Sequence, residues 1–379
     1  MIPFNKPYIS GKEFEYMQDA ADRGHLSGNG YYTKQCQLFF EERYGFKKGF
    51  LTTSCTDALE MAAMLLDLGP EDEVIVPSYT FVSTALAFVR QGAKVVFADS
   101  RADHPNLDTD ILEALITSKT KVIVPVHYAG NACDMDKIMA LAEKHDIWVV
   151  EDDALAIDAY YKDKPLGGIG HLGCFSFHET KGIQCGEGGM LTVNDERLIK
   201  RAEIIWEKGT DRASFFRGDV NKYGWVDMGS SFQPSELIAA FLYAQLENLD
   251  NIQNRRLELW NSYYENLLSL TQKGLIDIPQ TPEYATNNAH AFYFICRTAD
   301  ERTALINYLK EKDIQATFHY QGLDQSKFYS GKYAMSGLQK AGRYTDCLVR
   351  LPLYHDLSGE ELSMISNHVN YFFKEFIQE

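Results

Sequence analysis

Short apolar runs alternate with helical patterns over the first two-thirds of the chain. Val74–Val76, Lys94–Ala98, Lys121–Val126 and Ile147–Val150 are rich in Val and Ile and apolar at successive positions. That pattern predicts strands buried on both faces. Between them, Ala58–Leu68, Thr84–Gln91 and Asp136–His145 carry helical spacing. Strand–helix–strand repetition predicts an α/β domain with a mostly parallel sheet. Ligands in such sheets bind beyond the carboxyl ends of the strands. The places to search are therefore Pro77–Phe81, His127–Gly130 and Glu151–Ala154.

The pattern changes after that. Ser235–Leu270 reads as one or two long helices with few breakers. The tail reads as strand Ala291–Arg297, helix Arg302–Lys312, strand Ile314–Tyr320 and closing helix Gly359–Phe376. A large α/β domain over 1–245 and a smaller α+β domain over 246–379 are expected. The length of 379 residues agrees with roughly two to three domains.

Charge narrows the partners. The net charge of −16 argues against binding a nucleic-acid backbone, which needs basic patches. An anionic substrate remains open to it, because a local pocket can oppose the net charge. The seven cysteines are scattered and form no CxxC, so neither a zinc ribbon nor a redox pair is signalled, and no metal is expected. Free thiols fit a reducing cytoplasm. The opening MIPFNKPYISGKEFEYM lacks a basic region followed by an apolar run, and no eighteen consecutive apolar residues occur. Neither a signal peptide nor a membrane span is expected.

One apparent motif fails its context. Gly168-Ile-Gly-His-Leu-Gly173 matches G-x-G-x-x-G. The dinucleotide fingerprint needs a strand before it and a helix after it. Here a turn-like Tyr-Lys-Asp-Lys-Pro-Leu precedes and a strand-like Cys-Phe-Ser-Phe-His follows. A glycine-rich turn between two sheet elements is the expectation.

A second constellation does hold together. Lys181 stands between a β-like run and the glycine-rich loop Gly182–Gly189. Taken alone it reads equally well as a surface lysine before a turn. Asp152 ends the run Trp-Val-Val-Glu-Asp and alone reads as a solvated turn carboxylate. Thr53-Ser-Cys-Thr-Asp-Ala58 opens a helix, so it is either a simple N-cap or a phosphate site of free N–H groups. Phe81 alone reads as core packing. Pyridoxal phosphate uses all four at once: a Schiff-base lysine, a carboxylate on the pyridine nitrogen, a phosphate cup and an aromatic cover. The lysine must react as a neutral amine, so its pKa must be depressed. A glycine-rich loop lets backbone approach the cofactor closely.

In these segments the chain resembles the DegT/DnrJ/EryC1/StrS family of sugar aminotransferases. The matching stretches are Ser54-Cys-Thr-Asp-Ala-Leu59, Pro77-Ser-Tyr-Thr-Phe-Val82, Val124-Pro-Val-His-Tyr-Ala-Gly130, Val150-Glu-Asp152, Phe175-Ser-Phe-His-Glu-Thr-Lys181 and Gly186-Glu-Gly-Gly189. Ile2-Pro-Phe-Asn, Glu207-Lys-Gly-Thr210, Phe215-Phe-Arg-Gly218 and Gly229-Ser-Ser-Phe232 resemble the branch that aminates C4 of TDP-4-keto-6-deoxyglucose. The resemblance implies the fold type I (aspartate aminotransferase-like) architecture, with a mixed, mostly parallel sheet plus a smaller α+β domain. It implies pyridoxal phosphate as cofactor, L-glutamate as donor, a dTDP-4-keto-6-deoxysugar as acceptor, and a homodimer with shared sites.

The implied roles fall on named residues. Lys181 carries the cofactor and moves the proton. Asp152 keeps the pyridine nitrogen protonated. Phe81 and Ala154 cover the two ring faces. The backbone at Thr56 and Asp57 and the Ser176 hydroxyl hold the phosphate, with Ser231 reaching it across the subunit interface. His127, His319, Tyr320, Lys222 and Arg217 are expected near the substrate, and Lys208 in a nearby loop. For His127 a satisfied core histidine is the competing reading, and for the loop cations a plain solvated charge. Leu155 stands where the family often has Gln or His, Gly182 where it has Asn, and Asp324 where a Pro-Leu-His run is usual. Amination at C3, the gluco epimer, and a cofactor-binding regulator without turnover stay open. A dehydratase of this fold would carry histidine in place of Lys181.

Overall fold

The computed structural model describes residues 1–329 and 338–375. Its strands are β1 (Lys48–Thr52), β2 (Glu73–Pro77), β3 (Lys94–Ala98), β4 (Thr120–Ile123), β5 (Trp148–Asp153), β6 (Tyr160–Tyr161), β7 (Lys164–Pro165), β8 (Leu172–Ser176), β9 (Gly189–Val193), β10 (Ile276–Asp277), β11 (Tyr293–Cys296) and β12 (Leu348–Arg350). A seven-stranded sheet has the order β1-β9-β8-β5-β4-β2-β3. Only β9 runs against the others, pairing antiparallel with both β1 and β8. The mixed, mostly parallel sheet is the architecture expected from the sequence.

The strand positions follow the apolar runs, with one informative shift. β4 stops at Ile123 rather than at Val126. Pro125 has no N–H to extend the ladder, and its carbonyl instead accepts the Asp152 N–H at 2.9 Å. The helix expected at Ala58 begins at Cys55, because Ser54 is extended and its side chain accepts the Asp57 N–H. Such a cap contributes about 1 kcal/mol.

The long helical stretch is two helices, Glu236–Glu247 and Leu249–Gln272. Beyond it a three-stranded sheet, β10-β11-β12, packs with helices Ala299–Glu311, Gln339–Cys347 and Gly359–Glu375. The strand expected over Ile314–Tyr320 does not form. That segment is laddered at only two points, Ile314 with Ile2 and Thr317 with Arg350, and Phe318 beyond them is exposed. Tyr79, Tyr128 and Leu155, which follow β2, β4 and β5, pack into one core with Tyr263, Phe292, Phe294 and Phe373. That shared core ties the C-terminal sheet to the carboxyl edge of the large one.

Candidate active site

Four strand ends meet at one edge. β1 ends at Thr52 and β8 at Ser176, and both register with Gly189, the first residue of β9. A Cβ on Gly189 would lie 2.3 Å from the Ser54 carbonyl carbon. No side chain fits there, so glycine is what lets β9 start against the head of the Cys55–Leu65 helix. Gly186, with φ of 79°, turns the loop in a left-handed conformation that glycine adopts without steric cost.

The head of that helix is capped and yet keeps donors in reserve. Ser54 Oγ accepts the Asp57 N–H at 3.0 Å, and its hydroxyl faces the Asp57 carboxylate at the same distance. The Ala58 N–H is taken by the Ser54 carbonyl at 3.1 Å. Thus the N-cap reading is correct, and it spends the Asp57 N–H that the family resemblance assigns to phosphate. The N–H groups of Cys55 and Thr56 precede the first helical bond and carry no partner among the described residues. They carry the positive end of the helix dipole. The Thr56 hydroxyl is 2.7 Å from Ser83 Oγ, which joins the heads of two helices.

Asp152 is buried at the end of β5. Its Oδ2 accepts from Thr84 Oγ1 at 2.7 Å and its Oδ1 from the Ala154 N–H at 3.1 Å. Thr84 has one proton to give, so Thr80 Oγ1, 2.8 Å away, must donate to Thr84. The relay runs Thr80 to Thr84 to Asp152. Burial pushes the Asp152 pKa up, while Thr84, the Ala154 N–H and the Lys181 ammonium oppose it. Burial brings the Lys181 pKa down to about 8, with Cys55 and Asp152 opposing and Arg350 assisting. A lysine near 8 is a neutral amine for a substantial share of molecules at neutral to mildly alkaline pH.

Phe81 is 55% exposed, so it is not a core residue. Its ring lies 6.2 Å from that of Tyr320. The Tyr320 ring lies tilted against His319, with centroids 3.5 Å apart, and His319 Nδ1 meets Tyr128 Oη at 3.1 Å. Burial, Arg350 and Lys181 hold His319 well below the usual histidine range, so it is neutral. Ala154 is partly buried beside Asp152, and Ser176 Oγ sits at 3.4 Å from the His178 N–H. Lys181 couples electrostatically with Asp152 and Cys55, Tyr320 with the same two, and Phe81 lies against Tyr320, so lysine, carboxylate, exposed aromatic and helix head are neighbours. This donor set fits pyridoxal phosphate.

The other expected residues are placed differently. His127 is fully buried. Its Nδ1 accepts the Cys133 N–H at 3.1 Å, so its proton sits on Nε2, 3.1 Å from Glu151 Oε2. It is a satisfied core histidine. His127, Glu151 and Asp153 are close enough to hold a metal ion, but a protonated Nε2 has no lone pair to offer one. Arg217 is clamped by Glu203 at 2.7 and 2.8 Å and by Asp219 at 3.1 Å, so its charge is spent. Lys222, Lys208 and Ser231 are exposed. The Phe232 carbonyl accepts the Thr53 N–H at 3.0 Å, which places the Ser231 segment beside the helix head. Asp324 turns away to accept from Ser78 Oγ. Leu155 points into the C-terminal core. At Gly182 a Cβ would sit 3.2 Å from the Arg256 side chain.

The glycine motif at 168–173 has a use after all. The N–H groups of Gly167, Ile169 and Gly170 converge on the Glu151 carboxylate at 3.1, 2.8 and 2.6 Å. It is an anion nest filled by the chain's own carboxylate. Sequence reasoning missed this use, and it missed Thr84, a lone polar residue inside a helical pattern.

Comparison with known proteins decides the family. The chain matches the DegT/DnrJ/EryC1/StrS aminotransferase family over residues 7–370. It belongs to that family. It is 33% identical to the spore coat polysaccharide biosynthesis protein SpsC of Bacillus subtilis, over 95% of this chain and 94% of that protein. It is 30% identical to the GDP-perosamine synthase of Escherichia coli O157:H7, over 99% of each. Among solved structures, the putative sugar aminotransferase Spr1654 from Streptococcus pneumoniae in its PMP form superposes with a TM-score of 0.91 at 27% identity, over 99% of this chain and 100% of that one. The fold is that of this aminotransferase family.

Proposed function

We propose that this aminotransferase moves an amino group from L-glutamate to the 4-keto carbon of dTDP-4-keto-6-deoxyglucose, giving the dTDP-linked 4-amino-4,6-dideoxygalactose. The observation that carries the reading is the neighbourhood of Lys181, Asp152, exposed Phe81 and the helix head at Cys55–Thr56. Pyridoxal phosphate, when bound, supplies an electron sink that makes the proton on the amine-bearing carbon removable. Lys181 takes and returns that proton as a neutral amine. Asp152, whose carboxylate accepts from Thr84 and the Ala154 N–H, would keep the ring nitrogen protonated. Phe81 and Ala154 would cover its two ring faces and exclude water.

The substrate reading rests on the segments shared with the C4-aminating branch. The similarity to a GDP-perosamine synthase makes the GDP-linked sugar the competing acceptor. A second copy of the chain is proposed to complete the site. Phe216, Trp225 and Met228 are 70%, 80% and 64% exposed in the segment leading to Ser231, a surface suited to cover by a partner. No helix among the described residues is long and apolar enough to cross a membrane, and we place the enzyme in the cytoplasm, making a surface-polysaccharide sugar.

The test is product analysis. The protein, L-glutamate and one acceptor are incubated, using dTDP-4-keto-6-deoxyglucose, its 3-keto isomer or a GDP-linked 4-keto-6-deoxysugar. The dTDP-4-keto sugar is expected to gain nitrogen at C4. Turnover of the 3-keto isomer or the GDP sugar alone overturns the substrate assignment.

A further inference from the structure

One hydrogen bond holds the His319 ring among the described residues, the 3.1 Å contact between its Nδ1 and Tyr128 Oη. The hydrogen in that contact belongs either to the phenol or to the imidazole, and counting partners decides which. Tyr128 is 1% exposed. The Tyr79, Tyr293 and Tyr320 rings pack around it, yet its hydroxyl has no second partner among the described residues. Tyr79 Oη is itself buried with no partner. If Nδ1–H donated to Tyr128, the phenol hydrogen would be buried without an acceptor, at a cost of about 1–3 kcal/mol. With Tyr128 as donor, nothing in the pair is orphaned. Nδ1 therefore accepts, and the neutral ring carries its hydrogen on Nε2.

The Tyr128 side of the pair is anchored from behind. Its backbone N–H donates to Asn106 Oδ1 at 2.9 Å, and the Asn106 amide in turn donates to the Asn131 carbonyl at 2.9 Å. The His319 side is open. The residue is partly buried, and its Nε2 has no partner among the described residues. Lys181 acts on the ring electrostatically, and the neighbouring Tyr320 ring lies 6.2 Å from exposed Phe81. An unspent N–H donor thus stands among the residues that the cofactor reading brings together.

We propose that Tyr128 is a positioning residue that fixes His319 as a donor at Nε2, and that this donor takes an uncharged oxygen of the sugar acceptor. An N–H offers no lone pair, so it suits a carbonyl or hydroxyl oxygen and rejects an ammonium group at the same place. A carboxylate gains most from a charged partner, so a neutral imidazole is better matched to the sugar than to the amino acid. The proposal rests on the substrate reading above and adds Tyr128 to it.

Two measurements test it. The first is nitrogen NMR of the full chain with isotope-labelled histidine, the His319 signals being those lost in His319→Leu. The Nε2–H tautomer is expected at neutral pH. The Nδ1–H tautomer, or an imidazolium, overturns the proposal whatever the substrate is. The second is calorimetric binding of dTDP-glucose, thymidine diphosphate and 2-oxoglutarate to the pyridoxamine-phosphate form. Tyr128→Phe is expected to weaken dTDP-glucose about 2- to 10-fold, the worth of one neutral hydrogen bond, and His319→Leu at least as much. His319→Gln keeps an N–H donor and is expected to recover part of the loss. Thymidine diphosphate and 2-oxoglutarate are expected to bind each variant as they bind the wild type, which also certifies the folded state. Unchanged dTDP-glucose binding in Tyr128→Phe and His319→Leu overturns the proposal alone, as does equal weakening of all three probes. If the wild type binds dTDP-glucose no more tightly than thymidine diphosphate, the substrate reading and the sugar contact fall together, while the tautomer is still decided by the NMR.

Discussion

Two backbone nests in this molecule are built from the same parts and do opposite things. Around Glu151, the N–H groups of Gly167, Ile169 and Gly170 close on a carboxylate that the chain supplies itself, and His127 completes the shell. At the head of helix Cys55–Leu65, the N–H groups of Cys55 and Thr56 carry no partner among the described residues, and the nearby Asp57 carboxylate is taken by the Thr53 and Ser54 hydroxyls instead. The first nest has the glycine spacing of a nucleotide-binding motif, and the second has none. A glycine pattern reports that backbone N–H groups converge. Whether a ligand is wanted depends on whether a side chain already fills the nest.

The largest effect should come from emptying the closed nest. Glu151→Ala leaves three buried N–H groups and the His127 Nε2–H without an acceptor. A loss of about 3–5 kcal/mol is expected, read from urea unfolding. A loss below about 1 kcal/mol would mean the nest is not structural. Next comes Gly189→Ala, which pushes a methyl against the Ser54 carbonyl carbon. Overpacking of this kind costs about 1–3 kcal/mol, and the helix head must shift. Cofactor affinity is expected to fall about tenfold or more, measured by fluorescence titration with pyridoxal phosphate. An unchanged affinity would remove the helix head from the phosphate site.

A smaller effect sharpens the account of Asp152. Thr84→Val deletes the hydroxyl that opposes burial. The carboxyl pKa should rise further. Activity needs the anion and is lost as pH falls through the folded-state pKa. The acid limb of the rate profile should therefore move upward, by about one pH unit. A stationary limb would mean that another group sets it.

The smallest effect concerns Asp153, which is 1% exposed with neither carboxylate oxygen hydrogen-bonded. Burial first, then Glu151 and Asp152, push its pKa well up. The folded state thus holds this proton more tightly than the unfolded chain does. The stability it contributes is complete below the unfolded pKa of about 3.9 and is lost as pH rises through the folded value. Asp153→Asn should flatten that decline and leave the protein as stable or slightly more stable at neutral pH. Marked destabilisation at pH 7 would mean the carboxylate has a partner in solution.

What was legible in the sequence was what depends on local pattern. The buried parallel strands show as unbroken Val and Ile runs, and they place Pro77–Phe81 and Asp152 at strand ends. Lys181 and its glycine loop were legible because pyridoxal phosphate demands their combination. What stayed hidden depends on side-chain partners brought from afar. Whether His127 faces the site or the core is decided by the Cys133 N–H and by Glu151. Whether Arg217 is free is decided by Glu203. Arg350 Nε is buried without an acceptor among the described residues, and a missing partner leaves no trace in spacing. The strand expected over Ile314–Tyr320 has the right composition, but only Thr317 finds a ladder partner on β12.

The central claim is that the open nest and Lys181 serve one cofactor. The most direct measurement is borohydride reduction of the protein with bound pyridoxal phosphate, followed by peptide mass mapping. The account predicts a phosphopyridoxyl mass on the peptide containing Lys181 and none in Lys181→Ala. A label on another lysine, or no label on a protein saturated with the cofactor, would contradict it.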